Sequence, residues 1–314
     1  MSDLPRRVRL HEEGPREGFQ MEARHIASTD KVRLIEALAG TGLEEVQCVS
    51  FVSPERVPGM ADAELVAQSI RKREGVRYTG IWLNLRGMQR AMRTQLDIEG
   101  TITTNASEAF SIRNSGKNLA ALRDAQRETL AYCVDHRIPV TRGIVTTAFG
   151  CNLEGAIAPA TVVERVAQML DVMAEFGLRL PILRLADTVG WAQPNAIASV
   201  VGAVRERWPD LRLGLHLHDT RGTAMANALM GLQMGIDTFD RACAGLGGCP
   251  FAGHTGAAGN ICTEDLAFMC EEMGIETGVD LDALIDCARM AEEIVGHPLP
   301  GKLMRAGTLA GFRH

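Results

Sequence analysis

Short β-rich runs alternate with longer stretches in which apolar residues recur at helical spacing, and the alternation repeats eight times along the chain. This is the order expected of a parallel sheet whose strands are joined by crossover helices. The spacing predicts strands over Val8–Glu13, Glu45–Ser50, Tyr78–Leu85, Thr101–Asn105, Val140–Thr147, Leu183–Asp187, Leu213–His218 and Thr238–Ala244. The helices predicted to follow them span Asp30–Gly40, Asp62–Arg73, Arg86–Arg93, Leu119–His136, Pro159–Phe176, Pro194–Trp208, Ala224–Met234 and Thr263–Met273. Eight alternations without a Pro/Gly/Ser-rich linker predict a closed TIM (β/α)8 barrel rather than an open doubly wound sheet. Residues 1–314 then form a single domain, with the barrel over about 6–276 and a C-terminal helical appendage over about 277–314 that contains a helix at Asp280–His297.

Barrel enzymes carry their chemistry on the loops that follow the C-terminal ends of the strands. The unusual polar residues collect there. Glu12 to Gly18 follow the first strand, Arg142 lies in the fifth, Asp187 and Thr188 end the sixth, His216 to Asp219 end the seventh, and a loop rich in glycine around Cys249 follows the eighth.

Composition narrows the class. A hydrophobic fraction of 46% and a charged fraction of 23% describe an ordinary globular chain and exclude disorder. A net charge of -6, with scattered Lys and Arg and 4% aromatics, offers neither a basic stripe nor a stacking platform, so no nucleic-acid partner is expected. No apolar run approaches the roughly 18 to 20 residues that cross a bilayer, so a soluble chain with no membrane partner is expected. The eight cysteines form no CxxC pair, and MSDLPRRVRL lacks the apolar core of a signal peptide. Reduced thiols in the cytoplasm are the natural expectation.

Three constellations carry chemistry. In His216-Leu217-His218, strand alternation turns both imidazoles to one face, which in a barrel is the lumen. Such a pair either ligates a metal together with a nearby oxygen donor or forms a hydrogen-bonded structural couple. In Gly14-Pro15-Arg16-Glu17-Gly18 the glycines let backbone approach a ligand while a carboxylate and a guanidinium hold a cation and an oxyanion; the alternative is a solvated charge pair on a turn. From Ala244 to Asn260, many glycines surround one thiol, Cys249, as in a loop that closes over a site and delivers a proton, or as in a glycine loop with an inert cysteine.

The segments GPREGFQ, SFVSPERVPGMAD, LNLRG, ASEAF, FGCNLEG, ADTVG, HLHDTRG, AGLGGCPFA and GN followed by TEDL occur in that order over nearly the whole chain. Together they resemble the 3-hydroxy-3-methylglutaryl-CoA lyase family, whose cysteine loop is highly specific; the HxHD and Arg-acid pieces are shared with relatives that condense acetyl-CoA with oxo acids. The resemblance implies a metal-dependent barrel lyase that splits 3-hydroxy-3-methylglutaryl-CoA into acetoacetate and acetyl-CoA by retro-Claisen chemistry. It implies that Glu17, His216, His218 and Asn260 hold one Mg²⁺ or Mn²⁺, that Arg16 stabilises developing negative charge, and that Asp187 lies near the substrate hydroxyl. Cys249 would handle a proton at the acetyl-CoA enolate, and Arg142 would add positive charge. The implied partner is an acyl-CoA thioester, and homo-oligomerisation is compatible with the family.

The chain departs from the family pattern at four places. Glu17 stands where the family ordinarily has aspartate, Gln47 where it has a substrate-pocket glutamate, and Ala23 where a lysine is usual; the span from Cys249 to Asn260 is two residues longer. The rival readings are a lyase for a related thioester such as citramalyl-CoA, giving pyruvate and acetyl-CoA, a non-catalytic acyl-CoA-binding barrel, and an acetyl-CoA-condensing synthase. Retention of Arg16, both histidines, Asn260 and Cys249 argues against the silent barrel, and the chain ends soon after the barrel whereas synthases usually add C-terminal domains.

Exchanging a pocket glutamate for Gln47 removes a negative charge and adds an amide donor, so preference around the carbinol carbon should shift. The double variant Glu17→Asp with Gln47→Glu is expected to move the ratio of kcat/KM values toward 3-hydroxy-3-methylglutaryl-CoA. If the unmodified protein already cleaves that thioester at about 10⁴ M⁻¹s⁻¹ or more and prefers no other, the two departures are neutral.

Overall fold

The computed structural model describes residues 4–248 and 258–313. The strands are β1 (Arg9–Glu12), β2 (Glu45–Ser50), β3 (Arg77–Ile81), β4 (Gly100–Asn105), β5 (Val140–Thr146), β6 (Leu183–Asp187), β7 (Leu213–Leu217) and β8 (Thr238–Arg241). The main helices are α1 (Ser28–Ala39), α2 (Ala63–Ser69), α3 (Leu85–Ala91), α4 (Glu108–Ser115), α5 (Leu119–Asp135), α6 (Pro159–Glu175), α7 (Pro194–Arg207), α8 (Ala224–Gln233), α9 (Thr263–Glu272) and α10 (Leu281–Val295). The strands pair in parallel in the order β3-β2-β1-β8-β7-β6-β5-β4, so the order begins and ends on consecutive strands, as it must in a barrel.

One junction differs from the expected closed barrel: among the described residues no ladder joins β3 to β4. The seam is stitched only at its base. Asp97 donates its backbone N–H to the Tyr78 carbonyl and accepts the Tyr78 N–H on its carboxylate, each at 2.7 Å, and Arg77 is ion-paired with Glu99. Farther along, Gly80 and Ile81 on one side and Thr101 and Thr103 on the other are partly exposed, whereas every residue of β2, β6 and β8 is buried.

Local chemistry explains where the boundaries depart from the periodicity. β3 stops at Ile81 instead of running to Leu85 because the Asn84 side chain accepts the Gly87 N–H at 2.9 Å and caps α3. β8 ends at Arg241, and Cys243–Gly245 form a tight 3-10 turn with Ala244 at φ +57°. The helix α4 was not foreseen from periodicity. Its eight residues are too short for a clear apolar period, yet Ser107 caps it by accepting the Phe110 N–H, and Gly116 ends it in the left-handed conformation at φ +72°. Beyond the last strand, α10 is capped by Asp280 and packs on α1 and α9, the appended helix that the apolar spacing anticipates.

The apolar core lies between strands and helices, where Leu34, Val46, Leu185, Val204 and Phe239 are inaccessible to solvent. The barrel interior is instead strongly charged. Glu13, Arg142, Arg184 and Asp240 lie there. On the helix-facing side of the strand ends, Glu12, fully buried, ties three elements together: its carboxylate accepts the N–H of Gly14 at 2.9 Å, the N–H of Cys243 at 2.8 Å and the hydroxyl of Thr263 at 2.6 Å. The clamp fixes the exit of β1 against the exit of β8 and the start of α9. Burial pulls the neighbouring Arg241 guanidinium down to about 10 although Glu12 and Asp240 favour its charge.

Glu12→Ala strands three buried donors, each costing about 1 to 3 kcal/mol when left unpaired, so a stability loss of about 3 kcal/mol or more is expected in urea unfolding. A loss below about 1 kcal/mol would show that solvent or a neighbour replaces the clamp.

Candidate active site and metal centre

The turn after β1 sets the first half of the site. Gly14–Gly18 adopt a single widened helical turn in which the Glu17 N–H reaches the Glu13 carbonyl at 2.8 Å. This geometry aims Arg16 and Glu17 toward the barrel axis. It also requires close approach: a Cβ at Gly18 would stand 2.7 Å from the Leu246 side chain.

Arg16 is buried and held by three acceptors. Its Nη1 donates to Glu17 Oε2 at 2.9 Å, its Nη2 to Glu13 and its Nε to the Gln47 amide oxygen. The solvated turn pair considered from the sequence is therefore ruled out for Arg16 and Glu17. Burial pushes the Glu17 carboxyl up, but Arg16 and then His218 outweigh it and hold it well below the ordinary carboxylate range. Glu13 goes the other way: burial raises it to about 8 against the pull of Arg16.

β7 supplies the histidines. His216 and His218 bring their Nε2 atoms to 3.0 Å, and His218 Nε2 is 3.2 Å from Glu17 Oε1. One donor atom from each of Glu17, His216 and His218 lies within 4.8 Å of the others. Burial lowers His216 to about 4, which keeps its imidazole neutral and its lone pair available. Behind it, His216 Nδ1 faces Glu13 at 3.5 Å and Asp240 at 3.8 Å, and Asp240 is itself fixed by Arg184 at 2.9 Å. Carboxylates behind the distal nitrogen are what orient a metal-ligating imidazole.

Asn260 arrives from far along the chain. Asp219 N–H bonds the Gly259 carbonyl at 2.7 Å and Ile261 N–H bonds the Leu217 carbonyl at 2.9 Å, so this segment runs antiparallel beside the end of β7 and pairs Asn260 with His218. The Asn260 amide donates to Glu17 Oε1 at 2.8 Å and to the Leu246 carbonyl at 3.1 Å, while its Oδ1 is buried without a protein partner. Gly247, at φ +94°, is needed here because a Cβ would meet the Asn260 amide at 2.7 Å. Two imidazole nitrogens and a carboxylate converge, and the Asn260 amide is bonded to that carboxylate with its own oxygen left unpartnered; this mixed N/O donor set fits a divalent cation.

The remaining sequence-derived residues divide. Gln47 lines the same cavity and contacts Arg16 directly. Arg142 also lines it, but its guanidinium is bonded to Glu45 at 2.6 Å and to Glu99, and these carboxylates hold its proton more tightly than usual despite burial. Asp187 is 1% exposed and is not among the cavity-lining side chains, although its neighbours Ala186 and Thr188 are. One of its oxygens takes the Trp191 N–H at 2.7 Å, the other is unpartnered, and burial raises it to about 6 within the field of His218. Cys249 lies outside the described residues. Glu13 and Asp240 were not singled out from the sequence. The only available signal was a second carboxylate immediately before the turn, since nothing local relates Asp240 to His216.

Residues 7–291 match the family model described as HMGL-like. The chain is similar to the hydroxymethylglutaryl-CoA lyase YngG of Bacillus subtilis, at 37% identity over 95% of this chain and 96% of that protein. A Pseudomonas aeruginosa protein named 3-hydroxy-3-isohexenylglutaryl-CoA/hydroxymethylglutaryl-CoA lyase is 37% identical over 94% of this chain and 95% of its own. The crystal structure of the Bacillus subtilis HMG-CoA lyase superposes with a TM-score of 0.89 at 36% identity, covering 96% of this chain and 98% of that one.

Removing a direct ligand should cost more than removing an orienting partner. His216→Ala and His218→Ala are expected to weaken Mn²⁺ binding by more than about 100-fold in calorimetric titration, and Glu13→Gln by about 10- to 100-fold. Unchanged affinity in both histidine variants would leave the pair as a hydrogen-bonded structural couple.

Proposed function

The chain belongs to the HMGL-like family, and from that premise we propose that it is a carbon–carbon lyase cleaving 3-hydroxy-3-methylglutaryl-CoA to acetoacetate and acetyl-CoA. The observation that carries this reading is the convergence of Glu17, His216 and His218 on one point at the wall of a cavity, beside the buried Arg16 guanidinium and with the Asn260 amide bonded to Glu17. A divalent cation, Mg²⁺ or Mn²⁺, held by those four residues would supply Lewis acidity toward the tertiary alcohol and its neighbouring oxygen.

In the reaction the hydroxyl proton leaves, the bond between the carbinol carbon and the thioester α-carbon breaks, and the enolate released takes one proton. Arg16 faces the cavity as a permanently charged donor already oriented by Glu13, Glu17 and Gln47, and so meets the enolate oxygen without reorganisation. Cys249, from the glycine loop, is assigned to deliver the proton, because a thiol near 8.5 exchanges protons readily at neutral pH. Asp187, buried within the field of His218, is assigned to the region of the substrate hydroxyl. Arg142 contributes charge from the cavity wall, but Glu45 and Glu99 already bind it, so its role is to keep the wall electrostatically fixed.

The seven described cysteines are free, which supports a reducing, cytoplasmic setting for a single lyase domain, and no helix among the described residues is long and apolar enough to cross a membrane.

EDTA treatment is expected to abolish thioester cleavage and added Mg²⁺ or Mn²⁺ to restore it, followed by release of acetyl-CoA and acetoacetate. Full turnover in a preparation verified as metal-free would overturn the assignment.

A further inference from the structure

The β3–β4 seam opens the reaction cavity sideways. The cavity, about 300 Å³, is bounded at one end by Glu13, Arg16, Glu17, His216 and His218. β5 turns Arg142, Ile144 and Thr146 toward it, and the β4–β5 register places Thr101, Thr103 and Asn105 beside them, so these residues form the luminal face. Ile102 must then point outward, since alternate residues of a strand face opposite sides. Yet Ile102 also lines the cavity, as do Leu122, Ala125, Thr129 and Leu130 of α5 on the outside of the barrel. A cavity lined from both faces is what a passage around the free edge of β4 produces.

Three features make the passage a suitable apolar arm. Its base is closed by the Tyr78–Asp97 bonds and the Arg77–Glu99 pair, so it opens only at the level of the cavity. The Gln126 side chain donates to the Thr103 carbonyl, satisfying a strand-edge acceptor that would otherwise need water. On α5, the two small residues Ala125 and Thr129 share one face at i, i+4 spacing and line the cavity together with Ile81 and Ile102.

We propose that this arm receives an aliphatic substituent on the carbinol carbon, so that the enzyme accepts 3-hydroxy-3-alkylglutaryl-CoA thioesters with chains well beyond methyl. The inference rests on the lyase reading and adds its substrate range. The pantetheine arm of CoA is a poorer occupant, because its amides would lie unpaired against Ile102, Leu122 and Leu130. A saturated chain loses nothing there, and each methylene withdrawn from water tightens binding by up to about fourfold.

The test is kcat/KM for the methyl, butyl and 4-methylpentyl members of the series, on the metal-loaded enzyme and on Ala125→Phe and Thr129→Leu. The unmodified protein is expected to cleave the 4-methylpentyl thioester within about tenfold of the methyl compound. Ala125→Phe should lower the long-chain value by about 30-fold or more and the methyl value by less than about threefold. Thr129→Leu, a smaller insertion, should do the same in milder form if Ala125→Phe fails to fold. Long-chain turnover below about 1% of methyl in the unmodified protein, or equal losses for both substrates in a folded variant, overturns the inference. If no member is cleaved, the lyase reading fails by itself; the arm is then read from calorimetric affinities of the hydroxyl-free 3-alkylglutaryl-CoA series. Affinity that rises with chain length, and does so less in the variants, supports the arm, and affinity independent of chain length refutes it.

Discussion

A guanidinium buried at the mouth of a parallel barrel has to find its acceptors within the barrel, and Arg16 finds them on two elements at once. Glu13 and Glu17 come from its own turn and Gln47 from β2. Much of the site's geometry follows from this contact. Glu17 stays ionised because Arg16 and His218 overcome its burial, and an ionised Glu17 holds the Asn260 amide and faces His218. Glu13, the weaker acid of the two, stands behind His216 and helps turn its Nε2 toward the shared point. Two neighbouring carboxylates of one turn thus take different parts, separated by which histidine each one meets.

Charge neutralisation is layered through the rest of the barrel in the same way. Arg142 is matched by Glu45 and Glu99, and Arg184 by Asp240, so these two luminal arginines are held as fixed pairs rather than as free cations. Breaking a buried pair by removing one partner leaves an uncompensated charge, so these layers hold the strands' relative positions more than they add net stability. At Gln47 the pattern is relaxed. Arg16 meets a neutral amide where a further carboxylate would compete for the same guanidinium, which leaves more of its positive charge available to the cavity.

The seam between β3 and β4 shows what a barrel gains by leaving one ladder unmade. A closed eight-stranded barrel fills its interior with side chains. Here the ion pairs and Asp97 bonds close only the base, and α5 covers the gap with a face that includes Ala125 and Thr129. Polar chemistry at the axis and an apolar space outside the strands then belong to one cavity.

The sequence by itself determined the strand and helix order, the C-terminal helix, and the parts of the site whose geometry is local. Strand alternation is enough to put His216 and His218 on one face, and the glycines flanking Arg16 and Glu17 mark a turn that aims both inward. β2 and β6 follow their predicted bounds, each a short stretch in which polar and apolar residues mix at strand spacing. What depends on separation in space was not legible. Asp240 behind His216, the engagement of Arg142 by Glu45 and Glu99, and the burial of Asp187 behind the cavity wall all arise between residues tens of positions apart or on different strands. The helix α4 was hidden because eight residues carry too little periodicity to outweigh their polar content, and the β3–β4 seam because strand propensity says nothing about which edges meet. Periodicity is a property of neighbours along the chain. Ion pairing and edge closure are decided only when the barrel curls and brings distant carboxylates, guanidinium groups and strand edges within reach of one another.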